Sequence, residues 1–214
     1  MNYTQLSQAI QDYLEETEAT FVSNIPRFVR QAEERITRNT MIPAFRENKT
    51  GNTTSGDRFM KRPTDYLAPM SFAVIDGSGD YHYLLHKEVS FIREAYPDNT
   101  TSGLPQFYAE FDEENFILGP TPDAVYTLQL HYYYDPQSIV DASSGTTWLG
   151  DNAETALLWG SIVEAYTFLK GEPDLMQVYE GRFQQGMADL QKLGDFRNKR
   201  DNYRGGEPRL EVQA

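Results

Sequence analysis

The sequence predicts an α+β protein: a four-helix bundle, two helices from each end of the chain, with an inserted antiparallel β-sheet or sandwich module and an extended C-terminal tail. Three observations carry that expectation. Apolar residues recur at helical spacing near both ends, residues 47–147 switch to short alternating runs broken by turn residues, and periodicity stops after Phe196. The expected organisation is 1–46 for the first half of the bundle, 47–147 for the β-rich module, 148–196 for the second half and 197–214 for the tail.

The first helix is expected over 3–20, with Leu6, Ile10, Tyr13, Leu14 and Phe21 on one face. Asn2 followed by Gln5 has the form of a capping box. The second helix is expected over about 25–38, capped by Asn24 with Pro26 in its first turn and Phe28, Val29, Ala32 and Ile36 as its stripe. Lys49 to Asp57 reads as a loop of Thr, Gly, Asn and Ser. Ser71–Asp76 and Tyr81–Leu85 flank Gly77-Ser78-Gly79 as a hairpin, and Phe107–Phe111 and Asn115–Leu118 flank a turn at 112–114. Val125–Tyr134 is the clearest strand, and alternation places Tyr133 on the face opposite Tyr132 and Tyr134. At Asp151 the helical period returns, with Glu154 completing a second capping-box pattern, and Ala156 and Gly160 leave room for a neighbouring helix. Pro173 opens the last helix, whose stripe runs through Leu175, Tyr179, Arg182, Phe183, Gly186, Met187, Leu190 and Leu193.

Composition narrows the chemistry. With no cysteine, disulfides, thiolate metal sites and Cys nucleophiles are excluded, and a reducing cytoplasm suits the fold. The N-terminus has neither a basic start nor an apolar run, so no signal peptide is expected, and no segment is long and apolar enough to span a membrane. Nineteen basic against 32 acidic residues give −13. The tail at 197–214 has five basic and three acidic residues, a net of +2, which leaves −15 on the body. Such a body repels nucleic acid, because tight binding needs several phosphate-neutralising cations on one face.

Searching for reactive groups turns up turns and surfaces. His82 and His86 are four apart but lie in strand-like sequence, where that spacing does not converge on a metal. Asp76-Gly77-Ser78-Gly79-Asp80 imitates a calcium loop, yet its twelfth position is Lys87 instead of a bidentate Glu. Glu110, Asp112, Glu113 and Glu114 sit on one turn, where nothing drives their pKa values apart. The expectation is a protein without catalytic, metal or cofactor sites, acting through protein contacts.

Four stretches carry a resemblance. They are Ile25-Pro26-Arg27-Phe28-Val29-Arg30-Gln31-Ala32-Glu33-Glu34-Arg35-Ile36; Pro63-Thr64-Asp65-Tyr66-Leu67; Pro105-Gln106-Phe107-Tyr108-Ala109 continuing through Leu118-Gly119-Pro120-Thr121-Pro122 to Tyr126-Thr127-Leu128; and Ala156 to Ser161 continuing through Ala165 to Gly171, with Tyr179 beyond. In this order the chain resembles the head-to-tail adaptor (head–tail connector) proteins of short-tailed bacteriophages, the family of the T7-type tubular tail protein A. Arg62 departs from the pattern, which has an apolar residue before Pro63.

The resemblance implies a virion protein at the head–tail junction, assembled in the host cytoplasm. It would form a homo-oligomeric ring of twelve copies that binds the portal, carries the tail nozzle and tail fibres, and lines a channel through which genomic DNA is ejected without specific binding. It further implies a portal-docking tail, with Arg197, Lys199, Arg200, Arg204 and Arg209 as anchors and Leu210 and Val212 as apolar plugs. Tyr132, Tyr133 and Tyr134 are the candidate subunit-interface residues, since Tyr offers a rigid ring with a polar tip. Two rival readings are a neck or head-completion protein of a long-tailed phage and a carbohydrate-binding module using the same three tyrosines as a sugar platform.

Overall fold

The computed structural model describes residues 1–98 and 100–198, and of residues 195–198 the backbone alone. In chain order the elements begin with α1 (Tyr3–Leu14), α2 (Ala19–Asn39), β1 (Arg46–Asn52), β2 (Phe59–Lys61), β3 (Tyr66–Ile75), β4 (Tyr81–Tyr83), β5 (Leu85–His86) and α3 (Val89–Ala95). They continue with β6 (Ser102–Gly103), β7 (Phe107–Glu110), β8 (Asn115–Gly119), β9 (Thr121–Pro122), β10 (Thr127–Tyr134), α4 (Trp148–Asn152), α5 (Glu154–Phe168) and α6 (Pro173–Asn198). The protein is α+β. Its chain divides into a helical unit of residues 1–44 and 137–214 and a β-rich unit of residues 45–136.

In the helical unit α5 is the hub, contacted by α1, α2, α4 and α6. That explains its composition: Leu157, Ile162 and Ala165 are all fully buried, and few of its positions are free to be polar. Two glycines set the approach of its neighbours. A Cβ on Gly186 of α6 would lie 2.9 Å from the backbone nitrogen of Ala156, and one on Gly160 of α5 would lie 2.9 Å from Phe183 and 3.1 Å from Ala32. Small residues here let whole helix backbones touch, as the sequence suggested for Ala156 and Gly160.

Several expected boundaries move. The first helix stops at Leu14 because Glu15 takes a left-handed conformation, and α2 starts six residues early, so Phe21 belongs to α2. Pro26 therefore lies inside α2, and Asn24 bonds the Thr20 carbonyl instead of capping the helix. The box at Asn2 and Gln5 forms with both hydrogen bonds at 2.9 Å. The box at Asp151 does not: Thr147 caps the short α4, accepting from the Gly150 amide, and α5 begins separately at Glu154.

Residues 137–147, expected within the β module, fall in the helical unit. Ile139 is buried there, its amide donating at 2.8 Å to Glu33 Oε1 of α2, and Arg30 pairs with Asp141 at 2.8 Å. Burial pushes the Glu33 carboxyl above its ordinary value, against the Ser138 and Ile139 hydrogen bonds that favour its charged form.

The β-rich unit holds two four-stranded sheets, ordered β1-β10-β3-β4 and β2-β8-β7-β5, with a small β6-β9 pair. They enclose one aromatic core containing Phe72, Tyr108, Phe116, Leu128, Leu130 and Tyr132. The first sheet is antiparallel throughout, whereas the second is mixed, with β5 parallel to β7, and the β6-β9 pair is parallel. The stretch Lys49 to Asp57, expected as a loop, begins inside β1. Residues 46–52 pair in register with β10, from Arg46 opposite Tyr133 to Asn52 opposite Thr127. Their polarity reflects an edge position, where pairing to β10 supplies what apolar alternation would otherwise signal.

Candidate functional site

Strand β10 places its residues as alternation requires. Leu128, Leu130 and Tyr132 face the core, while Gln129, His131 and Tyr133 face outward beside β1. Tyr132 is 0% exposed, so it is removed from the candidate interface: a residue filling its own core has no surface to offer a neighbour. Its burial also dismantles the proposed sugar platform. Tyr134 is half-buried against the same core, following a register shift after Tyr133. Tyr133 remains partly accessible, and Arg46 reaches its hydroxyl at 3.0 Å.

The buried ring of Tyr132 carries its polar tip to a charged cluster. Its hydroxyl lies 2.9 Å from Asp65 Oδ1 and 3.1 Å from Glu47 Oε2, and Lys49 donates to Asp65 at 2.9 Å. Desolvation, with the two carboxylates, pushes the Tyr132 hydroxyl up to about 12, while Lys49 acts the other way. Burial works against the charge on Asp65, but hydrogen bonds from Lys49 and Tyr132 outweigh it and hold that carboxyl below its usual range. Hydrogen bonds to Tyr132 and then Asp65 raise Lys49 above an ordinary lysine. This is a satisfied network that joins β1 to the start of β3, with no group held reactive at neutral pH.

Arg62, the departure from the family pattern, takes an apolar residue's place by covering its own charge. Its guanidinium lies 4.9 Å from the centre of the Tyr66 ring, and it faces Glu110 at 3.6 Å and Glu113 at 3.4 Å. Tyr66 in turn donates to Glu110 at 2.8 Å. Arg58, which the sequence reading passed over, is buried and bonds the carbonyls of Tyr96 and Asp98. A lone Arg in a polar stretch gives no periodic signal, so only the tertiary partners reveal either role.

The hairpin at 76–80 forms, and its acid is structural. Asp76 accepts from the Ser78 and Asp80 amides at 2.8 and 3.1 Å and pairs with His82 at 2.8 Å, interactions that lower its pKa. His82 and His86 lie on separate strands, β4 and β5. Among the described residues no group of three or more His, Cys, Asp or Glu is arranged to hold a metal ion, and no helix is long and apolar enough to cross a membrane. Beside β1, a groove of about 340 Å³ opens between β1 and β2, floored by Phe72, Phe116, Leu128 and Leu130. Of the proposed docking residues, Lys199, Arg200, Arg204, Arg209, Leu210 and Val212 lie outside the described residues, and Arg197 lies in the last turn of α6.

Most charged groups at these sites have partners and the rings are packed, although Glu33 Oε2, Arg58 Nε and Arg62 Nε are buried without a hydrogen bond. Over residues 1–209 the sequence matches the family model described as SU10 adaptor protein. The chain belongs to the SU10 adaptor protein family. No curated protein matches it. Membership agrees with the phage head-to-tail adaptor resemblance; the narrower T7-type assignment does not follow from it. In this adaptor, the stretches that carried the resemblance lie in both units, from α2 through β3, β7 and β8 to α5.

Proposed function

We propose that this adaptor is a non-enzymatic structural protein of a phage particle, forming a ring of twelve copies that joins the portal to the tail nozzle and surrounds the DNA exit channel. The observation that carries the reading is the family match over residues 1–209. Charge supports it, because a body of −15 outside residues 197–214 repels the DNA that a channel must let pass. Two units on one chain also supply the distinct faces that a heterologous ring contact needs.

In this reading residues 197–214 form the portal-docking arm, with Arg197, Lys199, Arg200, Arg204 and Arg209 as anchors and Leu210 and Val212 as plugs. Deleting them is expected to leave thermal stability unchanged, because the buried positions described on α6 run to Gly194, before them. The same deletion abolishes attachment to DNA-filled heads. Electron microscopy of the purified protein, alone and mixed with a portal, tests the assembly directly: monomers alone and rings on the portal are expected. A tight small oligomer with no affinity for portals overturns the reading, as does sub-micromolar duplex binding near physiological salt. Because the match does not single out the T7 type, a neck position in a long-tailed particle is the second reading, distinguished by which tail component the ring retains.

A further inference from the structure

The β1–β2 groove has no occupant within its own unit. Strands β1 and β2 are each the last strand of their sheet, so the aromatic core of the β-rich unit is left open along this side. The floor is apolar, and a volume of about 340 Å³ is that of a built binding cleft. Its lip carries Lys49, Lys61 and Arg62 and no acid, although residues 45–136 hold seven basic against fourteen acidic residues. Lys49 and Arg62 are engaged with carboxylates, whereas Lys61 forms no ion pair among the described residues. The site therefore fits an apolar side chain presented between acids.

The helical unit displays such a feature. At the start of α6, Leu175 is 45% and Val178 50% exposed, three residues apart and hence on one face, with Glu172 and Asp174 beside them. Lys170 and Arg182 are the cations nearby, and Arg182 lies over the Trp159 ring at 4.5 Å, so Glu172 and Asp174 are the charges next to Leu175. Large apolar side chains left open beside charges of the opposite sign to the groove's lip are complementary in both shape class and charge.

We infer that the groove between β1 and β2 receives the Leu175–Val178 face of α6 from a second copy of this chain. The inference rests on the ring reading above and names the contact that would close it. Groove and plug are different surfaces, so each copy gives one and takes one, which is the condition for a ring. Lys61 meets Asp174 or Glu172 across the contact, and Leu175 enters over Phe116 and Leu128.

The chain has no cysteine, which makes the test direct. Two differently tagged copies, one carrying Lys61→Cys and the other Asp174→Cys, are mixed under mild oxidation while rings assemble on the portal. The mixed disulfide is expected to form at least about tenfold faster than a control pairing Lys61→Cys with Asp12→Cys, since a docked pair raises effective concentration. Lys61→Glu and Asp174→Lys should each slow ring formation, and combining them should restore it. Thr64→Trp, on the exposed lip of the groove, should block the cross-link without unfolding the protein. Rings that assemble without the mixed disulfide overturn this contact and leave the ring reading standing. Absence of both rings and cross-links overturns both, and a disulfide that forms only within one copy overturns the contact alone.

Discussion

In the helical unit glycine lets backbones touch, whereas in the β-rich unit aromatic rings fill the space between sheets. Gly186 and Gly160 bring α6, α2 and α5 so close that a single Cβ would strike backbone or ring atoms at 2.9 Å. Phe72 and Phe116 each meet Tyr108 edge-on and one another at a tilt, with centroids 5.2 to 5.9 Å apart, and the core they build stays open beside β1 and β2. Polar groups differ accordingly. Among the described residues the helical unit buries one carboxyl, Glu33, to hold Ile139, while the β-rich unit spends Lys49, Arg58 and Arg62 on the margins of its core. Close backbone packing leaves no tolerance for added volume; ring packing at an open edge leaves room for a partner.

The largest effect that would sharpen this contrast is Phe183→Ala. Phe183 is buried in the helical unit, stacked under Arg35 at 4.5 Å, and its loss should cost about 3–5 kcal/mol. Amide exchange should accelerate in α2, α5 and α6 and stay slow in β3, β8 and β10, with Phe116→Ala giving the mirror image. If both variants loosen both units together, the two are one energetic body and the comparison fails.

Gly186→Val comes next, at about 1–3 kcal/mol from overpacking against Ala156, measured by chemical denaturation. A neutral result would mean that α6 slides easily and that backbone contact is not what organises this unit.

Tyr132→Phe should cost about 0.5–1.5 kcal/mol, the usual net value of a hydrogen bond, while leaving the ring in place. It should also move the Asp65 titration up toward the ordinary carboxylate range, read by NMR. Since the folded pKa of Asp65 is depressed, its stabilising contribution is present above the ordinary value and disappears as pH falls through the lower folded one. An unchanged Asp65 titration would show that Lys49 alone holds the charge.

Glu33→Gln has the smallest expected effect, within about 1 kcal/mol near neutrality. The sign of its pH dependence is the informative part. Glu33 is raised in the folded state, so the wild type loses stability relative to the variant as pH rises from the ordinary carboxyl value to the folded one. A difference that runs the opposite way would mean the Ile139 amide favours the carboxylate more than burial opposes it.

Much of the helical unit was readable without coordinates, because period and cap are local. The capping box at Asn2, the stripe of α2 and the small residues of α5 are properties of residues three or four apart. The misplaced features there are themselves local ambiguities: Pro26 can start a helix or sit within one, and Asp151 competes with Thr147 for the same cap. The β-rich unit was less legible. Its hairpins at 76–80 and 111–115 carried turn chemistry, but β1 is too polar and β2 too short to announce themselves, and α3 has seven residues. The candidate interface was read from Tyr132, Tyr133 and Tyr134 as a run, although alternation had already separated their faces.

By itself the sequence determined the α+β class, the helical segments at both ends, the hairpins and the family, because each depends on spacing along the chain or on an ordered set of matching stretches. The expected four-helix bundle did not account for the separate short helix α4. Tertiary structure alone decided that a polar segment becomes edge strand β1, that Arg62 is accommodated against Tyr66, Glu110 and Glu113, and that Tyr132 is core. It also decided that a cation-lipped groove lies between two sheet edges. Those outcomes depend on distant partners, 85 residues apart for Tyr132 and Glu47 and 87 for Arg46 and Tyr133, and no local pattern encodes which distant group completes a hydrogen bond or covers a ring.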